Sequence, residues 1–216
     1  MSTSGDVRFF DPSSIRLIAI TDSLRDGPRG LALRAAAAVV GGATMIQLRL
    51  KEESARSLVE IARMIRATVP GVPLLVNDRA DVALAAGAAG VHVGVDDLSP
   101  SALRRVVPPG FIIGASVGSD DEVDRASGAD YVGIGPVYAT GSKADAGSAI
   151  GPARFAELAR RCGLPAVAIG GISAASVPEV MSVGANGIAV ISALFGAADP
   201  TLAARALRAA LDANER

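Results

Sequence analysis

The most constraining feature of this sequence is a recurrence. Short runs rich in valine and isoleucine return eight times, each followed by a polar or glycine-containing loop and then a helical pattern. They fall at Arg16–Ile20, Thr44–Leu48, Pro73–Val76, Gly90–Val93, Phe111–Ala115, Tyr131–Ile134, Ala166–Ile169 and Gly187–Val190. Between them, Leu58, Ile61, Ala62 and Ile65 keep the spacing of one helix face, as do Ala203, Leu207, Ala210 and Leu211. Eight strand–helix units predict an α/β fold of the (β/α)8 TIM-barrel type more readily than an open sheet. The 216 residues suffice for one such barrel.

Small motifs precede several strands: Gly41-Gly42-Ala43-Thr44, Ala88-Ala89-Gly90, Ser127-Gly128-Ala129-Asp130 and Val183-Gly184-Ala185-Asn186. Each reads as a helix end in which glycine takes a left-handed cap. No linker or composition shift divides the chain, so residues 1–14 are expected to be an N-terminal tail and residues 15–216 a single barrel domain. The other long irregular stretch is Ala139–Gly151.

Composition narrows the function. Half the residues are hydrophobic but only 3% are aromatic, so small aliphatic side chains must build the core. This suits strands buried on both faces under alanine-rich helices. A net charge of −1 without a basic stripe argues against a nucleic-acid partner. The lone Cys162 excludes an intrachain disulfide and reads as a small buried hydrophobe. Mean hydropathy is +0.40. The longest near-apolar run, Val82–Val95, nevertheless contains His92 and three glycines and cannot span a bilayer. Residues 1–14 carry Asp6 and Asp11 and no apolar segment, unlike a secretory signal. A cytoplasmic protein without a membrane partner is expected, and a homo-oligomer is left open.

In a barrel of this kind, chemistry gathers where strands end. After the second run, alternation turns Gln47, Arg49 and Lys51 one way and Leu48 and Leu50 the other. Two cations and an amide at a strand end suit a diphosphate clamp; a solvated charged rim is the plainer alternative. Asp78 and Asp97 follow the third and fourth runs, where they can share Mg²⁺ or merely cap helices. His92, the sole histidine, reads equally as an interior or a catalytic residue. Gly170-Gly171 and Ile191-Ser192 follow the seventh and eighth runs, the usual place for a barrel's phosphate site. Thr140, Gly141, Ser142 and Lys143 open a loop of small residues that can close over a ligand.

Together these segments resemble thiamine-phosphate synthase, also called thiamine-phosphate pyrophosphorylase, from about Leu17 to Ala206. The resemblance is carried by Gln47-x-Arg49-x-Lys51, Val76-Asn77-Asp78, His92-x-Gly94-x-x-Asp97 and Ser116. It continues through Gly133-x-Gly135-Pro136-x-Tyr138, Thr140-Gly141-Ser142-Lys143, Gly170-Gly171-Ile172 and Ile191-Ser192. It implies that the Gln47–Lys51 segment, with Leu48 and Leu50 inside it, and Asn77, Ser116 and Lys143 contact an aminomethylpyrimidine diphosphate. It implies Asp78 and Asp97 as Mg²⁺ ligands. Thr140–Ser142, Gly170, Gly171, Ile191 and Ser192 would then face the thiazole phosphate. Arg49, Lys51, Lys143 and Ser116 are the implied catalytic residues.

The implied reaction joins the pyrimidine methylene to the thiazole nitrogen and releases diphosphate by a dissociative path, which suits a sequence without a nucleophile–base pair. Two departures stand out. Val95 occupies a position where relatives commonly have glutamine, and Gly118 one where many have histidine. Gly118 weighs against the related thiazole tautomerase, which uses that histidine. A precursor-binding barrel without activity is the remaining alternative.

Overall fold

The computed structural model describes residues 10–142 and 147–214. Its eight parallel strands close on themselves in sequence order, with β1 pairing both β2 and β8. The strands are β1 (Leu17–Ile20), β2 (Met45–Leu48), β3 (Leu74–Asn77), β4 (Gly90–Val93), β5 (Ile112–Val117), β6 (Tyr131–Ile134), β7 (Ala166–Ile169) and β8 (Gly187–Val190). The α-helices are α1 (Gly27–Val40), α2 (Ala55–Thr68), α3 (Ala80–Ala86), α4 (Pro100–Leu103), α5 (Asp120–Val123), α6 (Gly151–Cys162), α7 (Val177–Ser182), α8 (Ser192–Phe195) and α9 (Pro200–Asp212). This is the (β/α)8 barrel that the recurrence predicts.

Strand alternation sorts the apolar residues into two layers. Ile18, Ile20, Met45, Leu75, Tyr131 and Val167 fill the barrel. Leu17, Ala19, Ile46, Leu48, Leu74 and Val76 face outward against the helices, where Leu58, Ile61, Ala62 and Ile65 of α2 meet them. Cys162 is half-buried against this outer layer, and burial pushes its thiol up.

Two strands run further than the hydrophobic runs predict. β3 includes Asn77, paired with His92, and β5 extends through Ser116, paired with Gly133. In the motif before β4, the left-handed cap is Gly87, at φ 65°, and not Gly90. Gly90 instead opens β4, where a Cβ would lie 2.0 Å from the Ile112 carbonyl oxygen.

The floor of the barrel is closed by a 3-10 turn over Pro12–Ile15, capped by Asp11, whose side chain accepts from the Ser13 N–H. Ahead of it Phe10 stacks on Tyr131, with ring centroids 6.1 Å apart. The Ser14/Ile15 division between tail and barrel thus falls inside this turn.

Candidate active site

A cavity of about 610 Å³ opens at the carboxyl ends of the strands. Its two sides differ in charge. On one side Arg49 and Lys51 follow β2, Asn77 ends β3 with Asp78 just after it, and Asp97 follows β4. On the other, Thr140 and Ser142 follow β6, Gly170 and Gly171 follow β7, and Ile191 and Ser192 follow β8. Ser116 of β5 lies in the wall, as do Val95 and Gly118.

The charged side is held by backbone geometry. Thr21, wholly buried just after β1, donates its hydroxyl to the Arg49 carbonyl at 3.2 Å and accepts from the Arg49 N–H at 2.8 Å. This pair of hydrogen bonds to the main chain fixes where the guanidinium leaves the strand. Asp78 is the one non-glycine residue with positive φ (63°) among the described residues. Its N–H reaches the His92 carbonyl at 2.8 Å, so the ladder to β4 persists while the chain turns. Aspartate tolerates this left-handed turn better than most residues.

Burial first, then the charge of Asp97 and a hydrogen bond between the two side chains, push the Asp78 carboxyl up to about 6, against the opposing pull of Lys51 and Arg49. A carboxyl group whose ionisation is hindered by a second one beside it suits a hard cation between the two. Among the described residues no group of three or more His, Cys, Asp or Glu is poised to hold a metal. A two-carboxylate site fits Mg²⁺, which completes its shell with water and phosphate oxygens, better than it fits a structural zinc. Asp97 is itself anchored, its Oδ2 accepting from the Gly94 N–H at 2.7 Å.

The neutral side is built by close backbone packing. Gly170 and Gly171 have φ of 92° and 64°. A Cβ on Gly170 would lie 2.5 Å from Pro136 Cβ, and one on Gly171 2.6 Å from the Ala139 oxygen. These glycines therefore seat the loop after β6 as well as admit a ligand. That loop donates the Tyr138 N–H to the Gly170 carbonyl at 3.0 Å. The hydroxyl of Ser142 donates to that of Ser192 at 3.0 Å. Ser192 and Ala193 start α8 in the cavity wall, where the first N–H groups of a helix have no intrahelical partner and favour an anion.

The family model described as Thiamine monophosphate synthase matches residues 17–194. The thiamine-phosphate synthase of Azorhizobium caulinodans is 47% identical over 209 residues, which cover 95% of this chain and 99% of the relative. That of Xanthobacter autotrophicus is 48% identical over 204 residues, covering 93% and 97%. The solved thiamine phosphate pyrophosphorylase of Pyrococcus furiosus superposes with a TM-score of 0.85 at 36% identity, covering 95% of this chain and 99% of that one.

The chain belongs to the thiamine-phosphate synthase family.

Of the residues that the thiamine-phosphate synthase resemblance singles out, Arg49, Lys51, Asn77, Asp78, Asp97, Ser116, Thr140, Ser142, Gly170, Gly171, Ile191 and Ser192 line this one cavity. Gln47 does not line it: it is 3% exposed in the barrel interior. Leu48 packs in the outer layer and Leu50 lies against it. Gly141 is exposed beside the mouth, and Lys143 lies outside the described residues.

Two contributors escaped sequence reasoning. Thr21 carries no charge and only its position after β1 marks it. Glu122 lines the cavity and accepts from the Gly118 N–H at 2.7 Å. The pattern Ser119-x-x-Glu122 has the form of a capping box and was readable as a helix start.

Proposed function

We propose that this chain is a thiamine-phosphate synthase, a Mg²⁺-dependent transferase that condenses 4-amino-2-methyl-5-(diphosphooxymethyl)pyrimidine with a thiazole phosphate. The observation that carries this reading is the division of the cavity. One side pairs cations with two carboxylates, and the opposite side offers hydroxyls and backbone amides. Two phosphorylated ligands meeting over one mouth suit condensation.

In the reaction, the C–O bond between the pyrimidine methylene and diphosphate breaks, and its electron pair leaves with diphosphate. The thiazole nitrogen lone pair then forms the C–N bond. Bound Mg²⁺, held by Asp78 and Asp97, would neutralise charge that develops on the leaving oxygens. Arg49 and Lys51 add fixed positive charge on the same side, and Asn77 orients the diphosphate-bearing ligand. The Gly170-Gly171 turn and the start of α8 hold the thiazole phosphate, and the Ser142–Ser192 contact keeps the loop after β6 over it. No protein nucleophile is required. Gly118 supplies no side chain for the proton shuttle of a tautomerase.

Both substrates are small molecules, and among the described residues no helix is long and apolar enough to cross a membrane. A cytoplasmic setting fits this chemistry. Purified protein incubated with both substrates and Mg²⁺ should release equal amounts of thiamine phosphate and diphosphate. Absence of thiamine phosphate with every divalent cation tried would remove the assignment.

A further inference from the structure

The interior of a (β/α)8 barrel is ordinarily filled with aliphatic side chains. Here a polar chain runs through it. The Nδ1 atom of His92 lies 3.0 Å from the Tyr131 hydroxyl, and its Nε2 lies 3.0 Å from Ser116 Oγ. Beyond Tyr131 the interior holds Gln47, whose side chain pulls the same hydroxyl down against the larger effect of burial. Gln47, His92 and Tyr131 are 3%, 8% and 1% exposed, and only Ser116 reaches the cavity.

The backbone makes room for this chain. Gly114 of β5 stands in register between His92 of β4 and Tyr131 of β6. A Cβ there would lie 2.4 Å from Tyr131 Cζ and 2.5 Å from His92 Nδ1. Gly133, paired with Ser116, would bring a Cβ within 3.2 Å of His92 Cε1. Glycine inside a strand often marks close approach of other groups, and here two of them open the space in which the hydrogen bonds form.

We propose that Tyr131 and His92 are positioning residues that fix the Ser116 hydroxyl as a hydrogen-bond donor into the cavity. The polarity follows from counting protons. Burial holds the Tyr131 hydroxyl protonated, and a buried O–H needs an acceptor, which Nδ1 supplies at 3.0 Å. Tyr131 must then donate to Nδ1, which leaves the ring proton of His92 on Nε2. Nε2–H donates to Ser116 Oγ, so the serine's own proton points at the ligand. The ligand atom beside β5 is therefore an acceptor, a ring nitrogen or a phosphate oxygen, and an N–H donor is disfavoured there. The role of Ser116 towards substrate rests on the function proposed above; the direction of the hydrogen bonds does not.

His92 is the only histidine, so ¹⁵N-histidine labelling gives one unambiguous pair of ring signals. In the wild-type protein without ligand we expect a proton on Nε2 and none on Nδ1. A proton on Nδ1, or rapid averaging of the two forms, overturns the proposal. Kinetics supply the second arm. His92→Gln keeps an amide donor near the Nε2 position and should retain most activity. His92→Asn should lose on the order of tenfold in kcat/KM. In a Ser116→Ala background, the same His92→Asn change should add no further loss. Additive losses, or equal losses for the Gln and Asn variants, would show that His92 does not act through Ser116. If the wild-type protein makes no thiamine phosphate, the assigned reaction fails, while the ¹⁵N pattern still decides the relay.

Discussion

The hydroxyl of Ser142 donates to that of Ser192 at 3.0 Å, joining the loop after β6 to the first residue of α8 at one side of the cavity mouth. The loop is thereby tied to the side of the cavity assigned to the thiazole phosphate. Ser142→Ala should raise KM for the thiazole phosphate by about three- to tenfold, the scale of one lost hydrogen bond. KM for the pyrimidine diphosphate should stay within twofold of wild type, roughly the limit of additivity between separate sites. Steady-state kinetics with each substrate varied in turn checks this, and an equal rise in both values would contradict it.

Asp78 gives a pH signature. Its carboxyl is raised to about 6 in the folded chain, from an ordinary value near about 4. Folding thus favours the protonated form. The stabilisation is complete below about pH 4 and fades as pH rises through about 6. The substitution Asp78→Asn imitates the neutral acid, and asparagine tolerates the left-handed turn. Without metal, the variant should therefore melt above wild type at neutral pH, with the gap closing towards about pH 4. Added Mg²⁺ should raise the melting temperature of the wild type and leave the variant nearly unchanged. Thermal melts across this range, with and without Mg²⁺, provide the readout.

Arg49→Lys keeps the charge and removes the planar fork that can grip two phosphate oxygens. A fall in kcat/KM of about ten- to hundredfold is expected, the scale of a hydrogen bond to a charged group. Unchanged efficiency would take Arg49 out of the diphosphate clamp.

Gly170→Ala combines an unfavourable φ of 92° with a contact of 2.5 Å to Pro136 Cβ. Strain of about 1–3 kcal/mol is expected, lowering the melting temperature by several degrees, since about 2–4 °C accompanies each kcal/mol in a chain of this size. Gly141→Ala is the control: a Cβ there meets nothing within 4 Å, and its melting temperature should not move.

Much of the barrel is legible in the sequence alone. β4, β6, β7 and β8 begin and end where the hydrophobic runs do, and glycine bounds at least one end of each. β3 and β5 outrun their hydrophobic runs because Asn77 and Ser116 look like loop residues, yet the ladder carries both inside the barrel. Alternation groups Gln47 with Arg49 and Lys51, but β2 ends at Leu48. Gln47 is therefore a layer below the mouth, while Arg49 and Lys51 emerge from it. The bond between His92 and Tyr131 joins residues 39 apart in sequence, a distance at which no local pattern speaks. Thr21 is invisible for a different reason, since its contribution is two bonds to another strand's backbone.

Phe10 stacks beneath the ring of Tyr131, whose hydroxyl touches His92, which touches Ser116. The barrel therefore has no inert plug separating its ends; one column of side chains runs from the closed base to the open rim. Trimming the chain past Phe10 to ease crystallisation, or replacing Phe10 by a small residue, would unseat the bottom of that column, and its consequences would surface at the opposite end of the molecule.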